Sequence, residues 1–314
     1  MSLDRIRLAS LHDKVISAEE ASAFIEDGMT VGMSGFTRAG EAKAVPLALV
    51  KRAHTNPLKI TLITGASLGN DLDKQLTEAG VLARRLPFQV DNTLRKAINN
   101  GEVMFIDQHL SETVEQMRNL QLKKPDVAII EAVAITEDGG IIPTTSVGNS
   151  ASFAIFAEKV IVEINTNLSP AFEGLHDIYI PTYRPTRQPI PLTQVDERIG
   201  THAINIDPAK IVGIVINNDL HDSPSTVTAP DDETQGIADH LIAFFEKEVA
   251  EERLPKNLGP LQAGIGSIAN AVLTGLKDSN FEDLVMYSEV LQDCTFELID
   301  AGKMKFASGS SITL

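Results

Sequence analysis

Short runs of β-branched and aliphatic residues recur along the chain, and stretches with apolar residues at helical spacing lie between them. The runs are Met29 to Gly35, Ile60 to Thr64, Val103 to Asp107, Val127 to Glu131, Val160 to Ile164 and Ile211 to Ile216. Most are continuous rather than alternating, which predicts strands covered on both faces. Helical spacing falls at about 44–54, 70–80, 92–100, 111–120 and 150–158. Ahead of the first strand, Ser17 with Glu20 three residues on predicts a capping box, opening a helix that Gly28 ends. The alternation of strand and helix predicts βαβ units and a mostly parallel sheet.

Residues 166–208 break this rhythm. Pro170, Pro181, Pro185, Pro189 and Pro191, with little periodicity between them, predict an extended surface arm. A polar, turn-rich stretch follows at 219–232, and then a long helix from Glu233 to about Glu252. We therefore divide the chain into an N-terminal α/β domain at 1–218 carrying the arm, a linker at 219–232, and the beginning of a C-terminal α/β domain at 233–314. The second unit reads as strand 261–263, glycine turn, helix 267–276, strand 284–288, helix 290–301 and strand 305–308. Lys305 to Leu314 enters a fresh strand with no helix to cover it. An open strand edge is a liability, so we expect a chain shortened at its C-terminus, the alternative being a strand that completes a sheet edge.

Composition narrows the function classes. Lys plus Arg number 27 against 43 Asp plus Glu, a formal net charge of −16. Such a surface repels nucleic acid and anionic lipid, so neither is expected as a partner. It leaves room for an anionic small molecule, because backbone N–H groups at a helix start bind phosphate locally. A single cysteine, Cys294, permits no intrachain disulfide, and it falls in an apolar helical pattern that predicts a buried structural thiol. The first residues lack the apolar run of a signal peptide and no stretch has the length of a membrane span, so a cytoplasmic protein is expected. The seven histidines are scattered with no HxH or HExxH spacing, and no metal site is expected.

Two segments of the second unit carry the chemistry. Gly264, Ile265, Gly266, Ser267 and Ile268 read as a strand end, a glycine turn and a helix start. Met286 to Asp293 reads as a strand whose last residues deliver Glu289 into the next turn. In a parallel sheet both turns open on the carboxyl edge, where open α/β sheets bind ligands. Taken singly, each has a plain structural reading. The glycines can serve close helix–strand packing, and Glu289 can be a helix N-terminal acid facing the dipole. Together they place a ligand-holding turn beside a carboxylate able to attack an activated acyl group. Of the other polar residues, Ser34 and Ser146 lie in glycine turns that could line the acyl side of a crevice. Asp107 with His109 reads as an ordinary loop pair, and His176 with Asp177 as residues that pack or cap a turn in the arm.

A family resemblance joins these features. Ser34 to Thr37, Lys43 to Pro46, Leu62 to Ser67, Thr93 to Asn99, Ser146 to Asn149 and Ser169 to Ile178, with the Gly-Ile-Gly turn and Tyr287-Ser288-Glu289-Val290-Leu291-Gln292-Asp293, resemble the acetyl-CoA hydrolase/transferase branch of class I CoA-transferases. The resemblance runs in order over essentially the whole chain. It implies a class I CoA-transferase-like α/β fold of two mostly parallel open-sheet domains, the second incomplete here. It also implies acyl-CoA and a small carboxylate as substrates, no further cofactor, and a homodimer. By the same resemblance Glu289 is the glutamate that becomes a glutamyl–CoA thioester, and Gly264 to Ile268 form the turn that contacts CoA. Relatives continue with a second glycine-rich CoA-contacting segment and an oxyanion-stabilising asparagine that 1–314 lacks, so this chain is expected to be inactive alone. Relatives that use a small carboxylate acceptor carry arginine in the loop matching 217–232, which here holds no Arg or Lys. Hydrolysis of the same thioester by water, and a non-catalytic metabolite-binding domain or inactive fragment, are the alternatives.

Overall fold

The structure, a computed structural model, describes residues 3–33, 35–36, 38–222 and 231–312. They form two compact units that divide between 222 and 231, with Pro191–Arg198 of the arm grouping with the second.

In the first unit α1 (Ala18–Ser22) precedes β1 (Thr30–Met33). Then follow α2 (Ala44–Ala53), β2 (Ile60–Ile63), α3 (Leu72–Glu78), β3 (Leu82–Leu86), α4 (Asn92–Asn99), β4 (Met104–Phe105), α5 (Leu110–Arg118) and β5 (Val127–Ile135). After β6 (Ile141–Pro143) and α6 (Ser150–Phe156) the unit ends with β7 (Lys159–Asn165) and β8 (Ile211–Asn217). Among the described residues the strands form one sheet in the order β4-β3-β2-β1-β5-β7-β8, all parallel, with β6 antiparallel on β5. Strand periodicity assigns the core. Leu62, Ile129 and Ile161 face one side with α2 and α3, while Ala128, Ile130, Val160 and Val162 face the other with α6.

The capping box forms: the Ser17 Oγ accepts from the Glu20 N–H at 3.1 Å and the Glu20 carboxylate accepts from the Ser17 N–H at 2.9 Å. The helix it starts stops at Ser22, well short of Gly28. β3 was not read from the sequence, because Arg84 and Arg85 interrupt its apolar pattern; Arg85 is wholly buried and forms a two-pronged pair with Asp73 at 2.8 and 3.1 Å. β4 departs from the expectation of strands covered on both faces, since Met104 at the sheet edge is 57% exposed. The arm contains only short 3-10 turns and isolated bridges, including Ile178 with Thr201.

In the second unit α7 (Asp232–Ala250) leads to β9 (Pro260–Leu261), α8 (Ser267–Asp278), β10 (Leu284–Leu291), α9 (Asp293–Asp300) and β11 (Met304–Ile312). Its sheet runs β11-β10-β9, all parallel, over a core of Leu273, Leu276, Leu284, Met286, Leu298 and Met304. β10 is longer than expected and α9 starts three residues later, so Val290 and Leu291 are strand residues rather than part of the Cys294 helix. β11 likewise runs to Ile312, beyond the expected 305–308.

Candidate active site

The extra length of β10 decides how Glu289 is presented. It lies within the strand rather than in the first turn of α9, and its side chain is exposed. A role as a helix-dipole acid is thereby removed. The preceding Ser288 points the other way and is buried, as strand alternation requires. Its hydroxyl donates to the Ala263 carbonyl at 3.0 Å and accepts from the Ala263 N–H at 3.3 Å. β10 pairs Met286 with Leu261. Continued three residues, that register sets Ser288 level with Ala263 and Glu289 level with Gly264.

The glycine turn is open. A Cβ added to Gly264 or to Gly266 would meet nothing within 4 Å, so close packing explains neither glycine. Gly266 has φ +131°, a conformation closed to other residues, and it forms the N-cap of α8 with no side chain capping the helix. The first intrahelical bond is the Asn270 N–H to the Gly266 carbonyl, which leaves the N–H groups of Ser267 and Ile268 to point out of the helix start. Gly264 to Ile268 are all exposed, and Ile265, Ile268 and Tyr287 present apolar surface of 50–58% exposure around them. The arrangement offers uncapped backbone donors for an anion, an apolar surround and an accessible carboxylate.

The first unit holds a second polar constellation that the sequence reading missed. Glu131 on β5 and Glu163 on β7 are register partners and both are buried. Glu163 accepts from the backbone N–H groups of Lys43, Ala44 and Val45 at 2.9–3.1 Å, so it caps α2 from a neighbouring element. The Lys43 ammonium, 1% exposed, lies 2.6 Å from Glu131 and 2.7 Å from Asp222, and donates to the Glu41 carbonyl at 2.7 Å. Burial works against that charge, but Glu131, Asp222 and Glu41 outweigh it and raise the lysine above its usual range. Burial likewise pushes Glu41 and Glu163 upward, and Glu131 to about 7 despite Lys43. The signal available in sequence was a lone acid inside each of two otherwise apolar strands.

Other expected residues take structural roles or stay peripheral. The Ser146 hydroxyl is spent on the Ala39 carbonyl at 2.8 Å and is buried. His176 Nε2 donates to the Pro143 carbonyl at 2.9 Å. Asp177 accepts from the Ile199 and Gly200 N–H groups, so it ties two distant stretches of the arm beside the Ile178–Thr201 bridge and does not cap a local turn. Asp107 and His109 are exposed. Ser34 and Leu314 lie outside the described residues. Among the described residues no group of three or more His, Cys, Asp or Glu side chains could hold a metal ion, and no helix is long and apolar enough to cross a membrane.

Comparison with known proteins matches residues 2–216 to the model of the acetyl-CoA hydrolase/transferase N-terminal domain. The chain is 46% identical to a succinyl-CoA:acetate CoA-transferase of Clostridium kluyveri, over 98% of this chain and 58% of that protein. It is 44% identical to an acetyl-CoA hydrolase of Kluyveromyces lactis, over 99% of this chain and 61% of the relative. The chain thus spans about three fifths of the length of these curated relatives. Among solved structures, RipA from Yersinia pestis superposes with a TM-score of 0.68 at 18% identity, covering 96% of this chain and 65% of the other. A 4-hydroxybutyrate CoA-transferase from Porphyromonas gingivalis gives 0.60 at 17%, covering 96% and 63%. At those identities the likeness is one of fold.

Proposed function

The chain belongs to the acetyl-CoA hydrolase/transferase family, and on that premise we propose that it carries the nucleophile of an acyl-CoA:carboxylate CoA-transferase. The observation behind this reading is the exposed Glu289 carboxylate, level with an uncapped glycine turn and fixed there through Ser288 and Ala263.

The Glu289 carboxylate attacks the acyl-CoA carbonyl and expels CoA thiolate, leaving a mixed anhydride. The thiolate then attacks the glutamyl carbonyl, releasing the free acyl carboxylate and leaving a Glu289–CoA thioester. An acceptor carboxylate reverses both steps and departs as acyl-CoA. One CoA thioester is consumed for each one formed, with the anhydride a transient between them, so no nucleotide is consumed. The N–H groups at the start of α8 suit a CoA phosphate, and Ile265, Ile268 and Tyr287 suit its less polar parts. Binding energy from those remote parts of CoA helps to drive the carboxylate against the carbonyl. A homodimer, which the resemblance implies, and a cytoplasmic setting, which the sequence suggests, belong to the same proposal.

Intact mass of the protein after incubation with an acyl-CoA tests the covalent step. A hydroxylamine-sensitive CoA adduct on the Glu289 peptide, lost in Glu289→Ala, is the expected result; turnover retained by Glu289→Ala overturns the mechanism. One observation favours hydrolysis as a second reading. Residues 217–222 hold no Arg or Lys to receive an acceptor carboxylate, and the Kluyveromyces lactis relative is named a hydrolase. CoA release that proceeds without any added carboxylate distinguishes it.

A further inference from the structure

Four carboxylates crowd one ammonium at the carboxyl edge of the large sheet, and the proposed reaction uses none of them. Lys43 at the start of α2 faces Glu131 from β5, Asp222 from the segment after β8 and the main chain of Glu41 from the loop after β1, while Glu163 from β7 stands beside Glu131. Glu163 is satisfied by three backbone N–H groups, and Glu41 Oε1 accepts from the Asn70 amide at 2.7 Å. Glu131 also accepts from the Thr144 hydroxyl at 2.6 Å and the Asn165 amide at 2.9 Å, but both donors are uncharged. The Lys43 ammonium is therefore the positive charge set against both Glu131 and the part-exposed Asp222.

Asp222 is the member best able to leave. Its side chain is 23% exposed, against 1% or less for Lys43 and Glu131. It also ties three segments together: Oδ1 meets Lys43, and Oδ2 accepts from the Gly40 N–H at 3.2 Å and from the Thr145 hydroxyl at 3.1 Å. Around it, Asn217 folds the strand end back by accepting from the Asp219 and Leu220 N–H groups.

We propose that Glu131, Lys43 and Asp222 form a proton-linked clasp that fastens residues 217–222, the segment leaving the first unit, to the carboxyl edge of its sheet. With Glu131 protonated, Lys43 and Asp222 are a balanced pair and the clasp is closed. When Glu131 releases its proton to solvent, the cluster gains a negative charge that only Asp222 can relieve by moving into water. Burial holds the Glu131 proton into the neutral range, where this exchange takes place. The device is independent of the chemistry assigned to Glu289.

The Gly40 amide reports the state of the clasp, because its N–H is bonded to Asp222. Hydrogen exchange, corrected for the intrinsic pH dependence of amide chemistry, should show its protection falling about tenfold from pH 6 to pH 8 in the unaltered protein. In Glu131→Gln, which mimics the protonated acid, the change should shrink to within about twofold. Asp222→Asn should show low protection at both values, and it provides the test if Glu131→Gln does not fold. Protection in the unaltered protein that does not change with pH overturns the proposal. So does an undiminished fall in Glu131→Gln, or full protection in Asp222→Asn.

Discussion

The Ser288 hydroxyl grips both the N–H and the carbonyl of Ala263, at 3.3 and 3.0 Å, and so fixes the entry to the glycine turn beside Glu289. A side chain buried on one face of β10 thereby sets the geometry of what the opposite face presents. Ser288→Ala removes the grip and leaves the Ala263 amide and carbonyl without their side-chain partner. Loss of a hydrogen-bonded anchor costs about 1 kcal/mol, so CoA affinity should fall about fivefold. Calorimetric titration with CoA, beside an unchanged circular dichroism spectrum, checks this.

The two glycines of the turn should respond differently. Gly266 is held at φ +131°, and Gly266→Val strains the backbone by about 1–3 kcal/mol and weakens CoA binding. Gly264 has open space and no such torsion, so Gly264→Ala should leave stability within about 0.5 kcal/mol. Urea denaturation of both variants measures the contrast; equal losses would refute the conformational assignment.

The Lys43 ammonium holds together groups from three segments of the first unit. Lys43→Met strands Glu131 and Asp222 without a cation, and removal of one partner from a buried ion pair costs about 3–5 kcal/mol. A thermal melt of the variant against the unaltered protein should show a large fall in midpoint.

Stability should decline as pH rises toward neutrality. Glu131 titrates at about 7 in the fold against an ordinary 4.5, so the native state keeps a proton that the unfolded chain has already released. The proton stabilises the fold below pH 4.5 no less than the unfolded chain; between 4.5 and 7 that parity is lost, and the penalty is complete above 7. Burial moves Glu41 and Glu163 in the same direction. The urea midpoint should therefore drop between pH 5 and pH 8, and less in Glu131→Gln.

Cys294 should be unreactive in the fold. Burial raises its thiol above the usual range, and only 7% of the residue is exposed. The thiolate is the reacting species, so iodoacetamide should label native protein slowly and urea-unfolded protein fully, as read by mass.

The alternation of apolar runs with helical spacing was enough for the α/β class, because strands covered on both faces must be continuously apolar and the helices covering them amphipathic. The capping box at Ser17 and Glu20 and the strand–turn–helix order around Gly264 to Ile268 were legible for the same local reason: caps and turns depend on residues within a few positions of each other. Arg85 and Lys43 were not legible. Each is buried only because a carboxylate from another segment meets it there, Asp73 in one case, Glu131 and Asp222 in the other, and a charge paired across the fold looks in sequence like one in water. The end of β10 was misjudged by three residues, since pairing of Val290 with Ser311 and Leu291 with Ile312 extends the strand against its neighbour, a long-range contact that overrides local helical spacing. Sequence alone supplied Glu289 and the glycine turn as candidates; the pairing of β10 with β9 and the Ser288 bond to Ala263 decided that the chain enters the turn alongside β10, because register is a property of two strands and not of either one.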